Sequence, residues 1–164
     1  MRVLIACEFS GIVREAFRKR GHDAWSCDLL PTEIPGKHFH GRVEDFIGES
    51  PWDLLIAHPP CTRLCNSGVR WLAERELWDE MEDEAGFFWL LMNAPIKRVA
   101  VENPIPHKYA IEIIGRKYDQ IIHPWQFGHG EVKATCLWLK GLQPLTPTNI
   151  VSGREARIHL MPPS

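Results

Sequence analysis

Long hydrophobic runs are missing: nothing in the 164 residues approaches the roughly 20 consecutive apolar positions of a membrane helix. The chain opens on a strand-like segment instead of a signal peptide, so the expectation is a cytoplasmic protein with no membrane partner. An excess of one charge is missing too. Nineteen Lys and Arg against 21 Asp and Glu leave a formal net charge of -2, so no global field gathers nucleic acid, although a local basic patch would suffice. Repeats and low-complexity tracts are absent, and 45% hydrophobic with 24% charged residues excludes a disordered, collagen-like or coiled-coil chain. A disulfide framework is not expected either, because the five cysteines are odd in number and lie mostly in apolar stretches. They read as reduced thiols, one of which is a candidate nucleophile.

What is there fits one domain with a real core. Residues 2–7 form an apolar run of the kind a parallel sheet buries on both faces. Ser10-Gly11 then opens an amphipathic stretch that stops at Gly21, with Ser10 the expected N-cap. A second strand is expected at 23–27, a surface loop at 30–40, a short strand at 41–43, and a buried strand at 53–57 halted by Pro59-Pro60. Trp71, Trp78, Met81, Ala85, Phe88 and Met92 fall near helical spacing and predict one long helix between Gly68 and Asn93, packed by Trp71, Trp78 and Trp89. A strand at 98–101, a helix at 109–114 and strands at 118–123 and 135–139 follow. The alternation argues for an α/β fold with an open, mostly parallel sheet and an antiparallel C-terminal strand pair. Residues 142–164, with four prolines, are expected to run extended over the surface as a tail to a catalytic domain of 1–141.

In such sheets ligands bind beyond the carboxyl ends of the strands, so the residues that follow each strand carry the functional information. Glu8-Phe9-Ser10-Gly11 follows the first, Asp28 the second, His58-Pro59-Pro60-Cys61 the fourth and Glu102-Asn103-Pro104 the fifth. The first turn with Asp28 some twenty residues on has the layout of a nucleoside-binding pair, or is an ordinary βα turn with a solvated aspartate. No GxGxxG is present, since Val13 and Arg14 stand where glycines would admit a pyrophosphate, which speaks against a dinucleotide. Cys61 is a thiol presented by a rigid Pro-Pro turn, as a nucleophile requires. Cys7, Cys27 and Cys136 read as small buried hydrophobes. His58, Cys61 and Cys65 lack a fourth ligand at zinc-finger spacing, and no metal is expected. Glu102, between a buried strand and Pro104, is either a desolvated proton donor or a glutamate that fixes its loop.

Together these residues resemble the C5-cytosine DNA methyltransferases, more closely the short phage-type members. Phe9-Ser10-Gly11 resembles the family's first cofactor motif, Asp28 the acidic residue that holds the cofactor ribose, Pro59-Pro60-Cys61 the nucleophile motif and Glu102-Asn103 the Glu-Asn motif. Phe127-Gly128 through Lys133, and Leu139-Lys140-Gly141, are similar to the later motif whose basic side chain helps hold the target base. The resemblance implies a Rossmann-like S-adenosylmethionine-dependent methyltransferase fold. It implies a catalytic set of Cys61, Glu102, Asn103 and Lys133, and a cofactor set of Glu8, Phe9, Ser10, Gly11, Asp28, Val43 and Pro59. By the same resemblance, Cys61 adds to C6 of cytosine while Glu102 donates to N3, and the activated C5 takes the methyl group. The DNA partner is a duplex with base flipping or a single strand, and an organism carrying a phage would hold the protein in its cytoplasm.

The sequence departs from the family in four places. Val13 and Arg14 replace glycines, Arg42 stands where an aspartate often contacts the adenine, and the family's target-recognition domain and final sheet-closing helix have no counterpart before Ser164. Two alternatives follow: the same chemistry on a free cytosine nucleotide, or a non-catalytic decoy that binds cofactor or DNA and interferes with restriction. Trp125, beside the Gly-rich connection, is the tryptophan expected to stack on a base. Target sequence and oligomeric state are not written in these motifs.

Overall fold

β1 (Arg2–Ala6) shows how the sheet is built, because its alternating side chains bury both faces. Val3 and Ile5 pack with Ala24 and Leu54 beneath Val13 and Phe17, while Leu4 and Ala6 join the larger core with Phe88, Leu91 and Trp138. A computed structural model describes residues 1–156 and continues from β1 with α1 (Ile12–Arg18), β2 (Asp23–Asp28), β3 (His38–His40), α2 (Val43–Phe46) and β4 (Leu54–Ala57). Then come α3 (Val69–Glu74), α4 (Trp78–Met92), β5 (Val99–Pro104), α5 (Lys108–Ile114), β6 (Gln120–Ile122) and β7 (Thr135–Lys140). The strands form one sheet in the order β3-β2-β1-β4-β5-β7-β6. β1 to β5 are parallel, and β7 is antiparallel to both β5 and β6. The expected α/β architecture with its antiparallel C-terminal pair is therefore present.

Three local expectations need correction. The single long helix is two: Glu76 adopts φ +54, and the Leu77 amide returns to the Leu72 carbonyl at 3.0 Å, which closes α3 before α4 begins. Trp89 is 52% exposed instead of packing the helix, whereas Trp78, 37% exposed, sets its ring edge-on against Tyr109 of α5 at 5.2 Å; Trp52 and Trp138 fill the core. The short strand is β3, not 41–43, because Ser26 to Asp28 pair with His38 to His40. Val43 instead starts α2, whose first turn carries Glu44 and Asp45 where a helix dipole favours acids. Finally, Gly11 at φ 76, not Ser10, is the N-cap of α1.

Residues 142–156 contain no helix or strand, but they are pinned to the body. The Gln120 side chain bonds the Leu145 backbone in both directions at 2.7 Å. The amides of Thr148, Asn149, Val151 and Glu155 donate to carbonyls of Gln126, Trp125 and Gly130. Among the described residues no helix is long and apolar enough to cross a membrane.

Candidate active site

The order of the sheet reverses at β1, and a cleft of about 290 Å³ opens beyond the carboxyl ends of β1, β2 and β4. Cys7, Cys27, Asp28, Val43, Pro60 and Phe87 contribute to its wall, with Leu29, Arg42 and Glu44 toward the rim. Of the residues expected to meet a cofactor, Asp28 and Val43 line this cleft. Glu8, Phe9, Ser10, Gly11 and Pro59 do not: Pro59 is buried and Pro60 takes its place in the wall.

Glu8 is occupied in the turn itself. Its carboxylate, 5% exposed, accepts from the Val13 amide at 2.6 Å and the Arg14 amide at 3.4 Å, so it satisfies the free N-terminus of α1 from inside the protein. Ser10 Oγ accepts from the Ile12 amide at 3.3 Å. Arg14 is fully buried, and its guanidinium donates to Ser26 Oγ at 2.8 Å, Thr32 Oγ1 at 3.1 Å and the Ile34 carbonyl. Ser26 and Cys27 project from opposite faces of β2, so the Arg14 charge is tied down on the face away from the cleft. Arg42 sits at the rim in an ion pair with Glu44 at 2.7 Å.

Beside the cleft the fold brings the sequence-distant reactive groups together. Cys61 follows β4, and the Cys65 amide donates back to the Cys61 carbonyl at 3.0 Å, which places the two thiols one turn apart. A hydrogen bond to Cys65, then burial, pushes the Cys61 thiol well above its ordinary range, while the positive charge of Lys133 pulls the other way. Cys65 moves oppositely, down to about 5, because it accepts from Cys61, from Ser67 Oγ at 3.0 Å and from the amides of Ser67 and Gly68. The two shifts run in opposite directions, so of the pair Cys65 is the one that ionises more readily.

On the neighbouring strand Glu102 is half-buried, and desolvation raises its carboxyl against the opposing pull of Lys133. Lys133 thus acts electrostatically on both Cys61 and Glu102. Asn103 is 1% exposed; its Nδ2 donates to the Pro104 carbonyl at 2.7 Å and fixes the turn after β5. The buried Asn103 Oδ1 has no hydrogen-bond partner among the described residues. Catalytic candidates Cys61, Glu102, Asn103 and Lys133 are therefore neighbours at one sheet edge.

Sequence reasoning missed two residues here. His58 lies with Nδ1 4.0 Å from Glu102 Oε1, burial lowers its affinity for a proton, and its buried Nε2 has no partner among the described residues. Its position one residue past β4 was the available signal. Cys65 was passed over because it lacks a proline frame, although one-turn spacing from Cys61 was visible. Among the described residues, no group of three His, Cys, Asp or Glu side chains is placed to hold a metal ion.

Neither the protein-family models nor the curated proteins contain a match to this chain. Solved structures do. A proposed DNA modification methyltransferase encoded within an E. coli prophage superposes with a TM-score of 0.56 at 15% identity, over 92% of this chain and 52% of that one. The Entamoeba histolytica methyltransferase EhMeth superposes with a TM-score of 0.57 at 12% identity, over 92% and 57%. This chain has the Rossmann-like fold of the methyltransferases. It spans a little over half the length of these two proteins.

Proposed function

We propose that the protein transfers a methyl group from S-adenosylmethionine to C5 of cytosine in DNA. The observation that carries this reading is the juxtaposition of a thiol on a Pro-Pro turn, a protonation-prone glutamate on the next strand and a lysine charge that reaches both. No simpler reading needs all three beside a nucleoside-sized cleft.

The cleft residues fit the cofactor. Leu29, Val43, Pro60 and Phe87 offer apolar surface to an adenine, and Asp28 stands at the β2 end where a carboxylate accepts from ribose hydroxyls. One Asp28 oxygen already accepts from the Leu30 amide at 2.9 Å, which holds the carboxylate in place. Arg14 does not enter the cleft, and the Arg42 charge is matched by Glu44. When bound, the sulfonium supplies an electrophilic methyl group.

This chain's residues supply the rest. Cytosine C5 is a poor nucleophile, so Cys61 passes its proton to the sulfur of Cys65, one turn away, and its own sulfur adds to C6. Glu102, whose carboxyl is pushed toward the protonated form by burial, donates to N3 and draws electron density from the ring. Asn103 fixes the strand end just beyond Glu102 through its bond to the Pro104 carbonyl, and Lys133 offsets negative charge as it develops. After C5 is methylated, loss of the C5 proton expels Cys61 and restores aromaticity. A duplex base must be flipped for this, at a cost of a few kcal/mol, whereas a single strand offers it directly.

The test is transfer of labelled methyl from S-adenosylmethionine to duplex DNA, single-stranded DNA and cytosine nucleotides. Incorporation into DNA, lost in Cys61→Ser, is expected; unchanged incorporation by that variant rejects the assigned nucleophile. Transfer to nucleotides alone moves the substrate, and absence of cofactor binding at millimolar concentration by calorimetry leaves only the non-catalytic reading.

A further inference from the structure

β6 runs parallel to β5, with β7 between them, and Ile122, Thr135 and Pro104 stand in one register. The connection from 123 to 134 therefore emerges at the same edge as Glu102 and Cys61. On it, the rings of His123 and Trp125 stack 5.7 Å apart at 23° from parallel, and the Arg154 guanidinium lies 3.9 Å from the Trp125 ring centre. Arg154 comes from a segment far along the chain, yet its placement is built. The Val151 amide donates to the Trp125 carbonyl at 3.0 Å, and the Glu155 amide to the Gly130 carbonyl at 2.8 Å. The backbone carbonyl of Gly153 approaches Gly130 so closely that a Cβ there would lie 2.7 Å from it.

The same connection positions Lys133. Glu131, 4% exposed, accepts from the amides of Val132 at 2.8 Å and Lys133 at 3.2 Å, so its carboxylate is turned into its own loop. Glu155 is the neighbouring exposed acid. With a net charge of only -2 and no global attraction, any grip on a polyanion has to be local. A guanidinium laid over an indole is held in orientation and keeps its N–H edge for acceptors in its own plane, which is phosphate-binding geometry.

We propose that Arg154, supported by Trp125, contacts the phosphodiester backbone beside the target base. This inference rests on the proposed reading of the site as acting on DNA. Arg154 binds the strand and Trp125 is its positioning residue; neither takes part in the chemistry.

The experiment is fluorescence-anisotropy titration of a labelled oligonucleotide with the full chain across a salt series, carried out in the Cys61→Ser background so that binding is read without turnover. Arg154→Ala is expected to weaken binding by about 5- to 10-fold for all sequences and to lower the log-log salt slope by about one. Arg154→Lys should retain the slope with weaker affinity. Trp125→Ala should reproduce the affinity loss of Arg154→Ala, and Trp125→Phe should lie between it and the parent. Calorimetric affinity for S-adenosylmethionine stays unchanged in all of them, which shows that they fold. Unaltered affinity and slope in Arg154→Ala overturns the proposal, as does a loss of affinity that salt does not modulate. Because the readout is binding, failure of the Cys61 chemistry and failure of this contact are seen separately; a parent protein that binds no oligonucleotide overturns both the DNA reading and this contact.

Discussion

Cys61 and Cys65 illustrate how one residue's neighbours reverse what its position alone suggests. The Pro-Pro frame made Cys61 readable as the nucleophile because its signal is local, whereas the ionisation of Cys65 depends on amides from the following turn, which no spacing rule displays. Alkylation by iodoacetamide at about pH 6 should therefore modify Cys65 ahead of Cys61, since thiolate fraction controls the rate; peptide mass mapping at short times checks the order. In Cys65→Ala, Cys61 loses the partner that raises it, and its alkylation should begin at lower pH than in the parent. Glu102 gives a second test. Its carboxyl is raised in the folded state, so folding stability falls as pH climbs from the ordinary carboxylate range through that raised value, and stays reduced above it. Glu102→Gln should accordingly raise Tm at alkaline pH, with no gain below the carboxylate range, while methyl transfer drops by roughly 10²- to 10³-fold. A merely loop-fixing glutamate would leave transfer intact.

At the scale of elements, the passage from β1 into α1 is held by polar side chains that fold back into the protein. Glu8 caps the helix from within, and the Arg14 guanidinium packs against Gly11 and Gly36, where a Cβ would approach it to 2.7 Å. Arg14→Ala should cost about 2–4 kcal/mol in urea unfolding, from the cavity and from the lost hydrogen bonds to Ser26 Oγ, Thr32 Oγ1 and the Ile34 carbonyl, yet leave cofactor affinity nearly unchanged. Loss of affinity without loss of stability would mean that Arg14 serves the cleft after all. Strands were legible here because buried parallel strands are continuous apolar runs, and the helix at 108–114 because it ends on Gly115 in the left-handed conformation. The break between α3 and α4 was not, since the left-handed residue is Glu76 and no Gly or Pro marks it. The buried face of α4 was legible all the same, because Met81, Ala85, Phe88 and Met92 lie at helical spacing wholly beyond the break.

For the molecule as a whole, the mostly parallel sheet and the gathering of strand-end residues at one edge followed from alternation alone; the strand order and the partners within that edge did not. His58 beside Glu102, Arg154 over Trp125 and Arg14 under β2 each join segments that only the folded chain brings together. Under the proposed function, the contacts of this chain with DNA come from loops at the catalytic edge, such as the connection that carries Trp125 and Lys133. Sequencing of methylated product from random duplexes should show a short or relaxed context around the modified cytosine. A long, strictly read site would contradict this.

The position of β7 between β5 and β6 also decides what holds the site together. β6 precedes β7 in the chain, and among the described residues its only ladder partner is that later strand. β5 likewise pairs with β7, on the side away from β4. Lys133, two residues ahead of β7, is thus held at the Glu102 edge by the same strand that joins β5 to β6, so the constellation depends on β7 being docked.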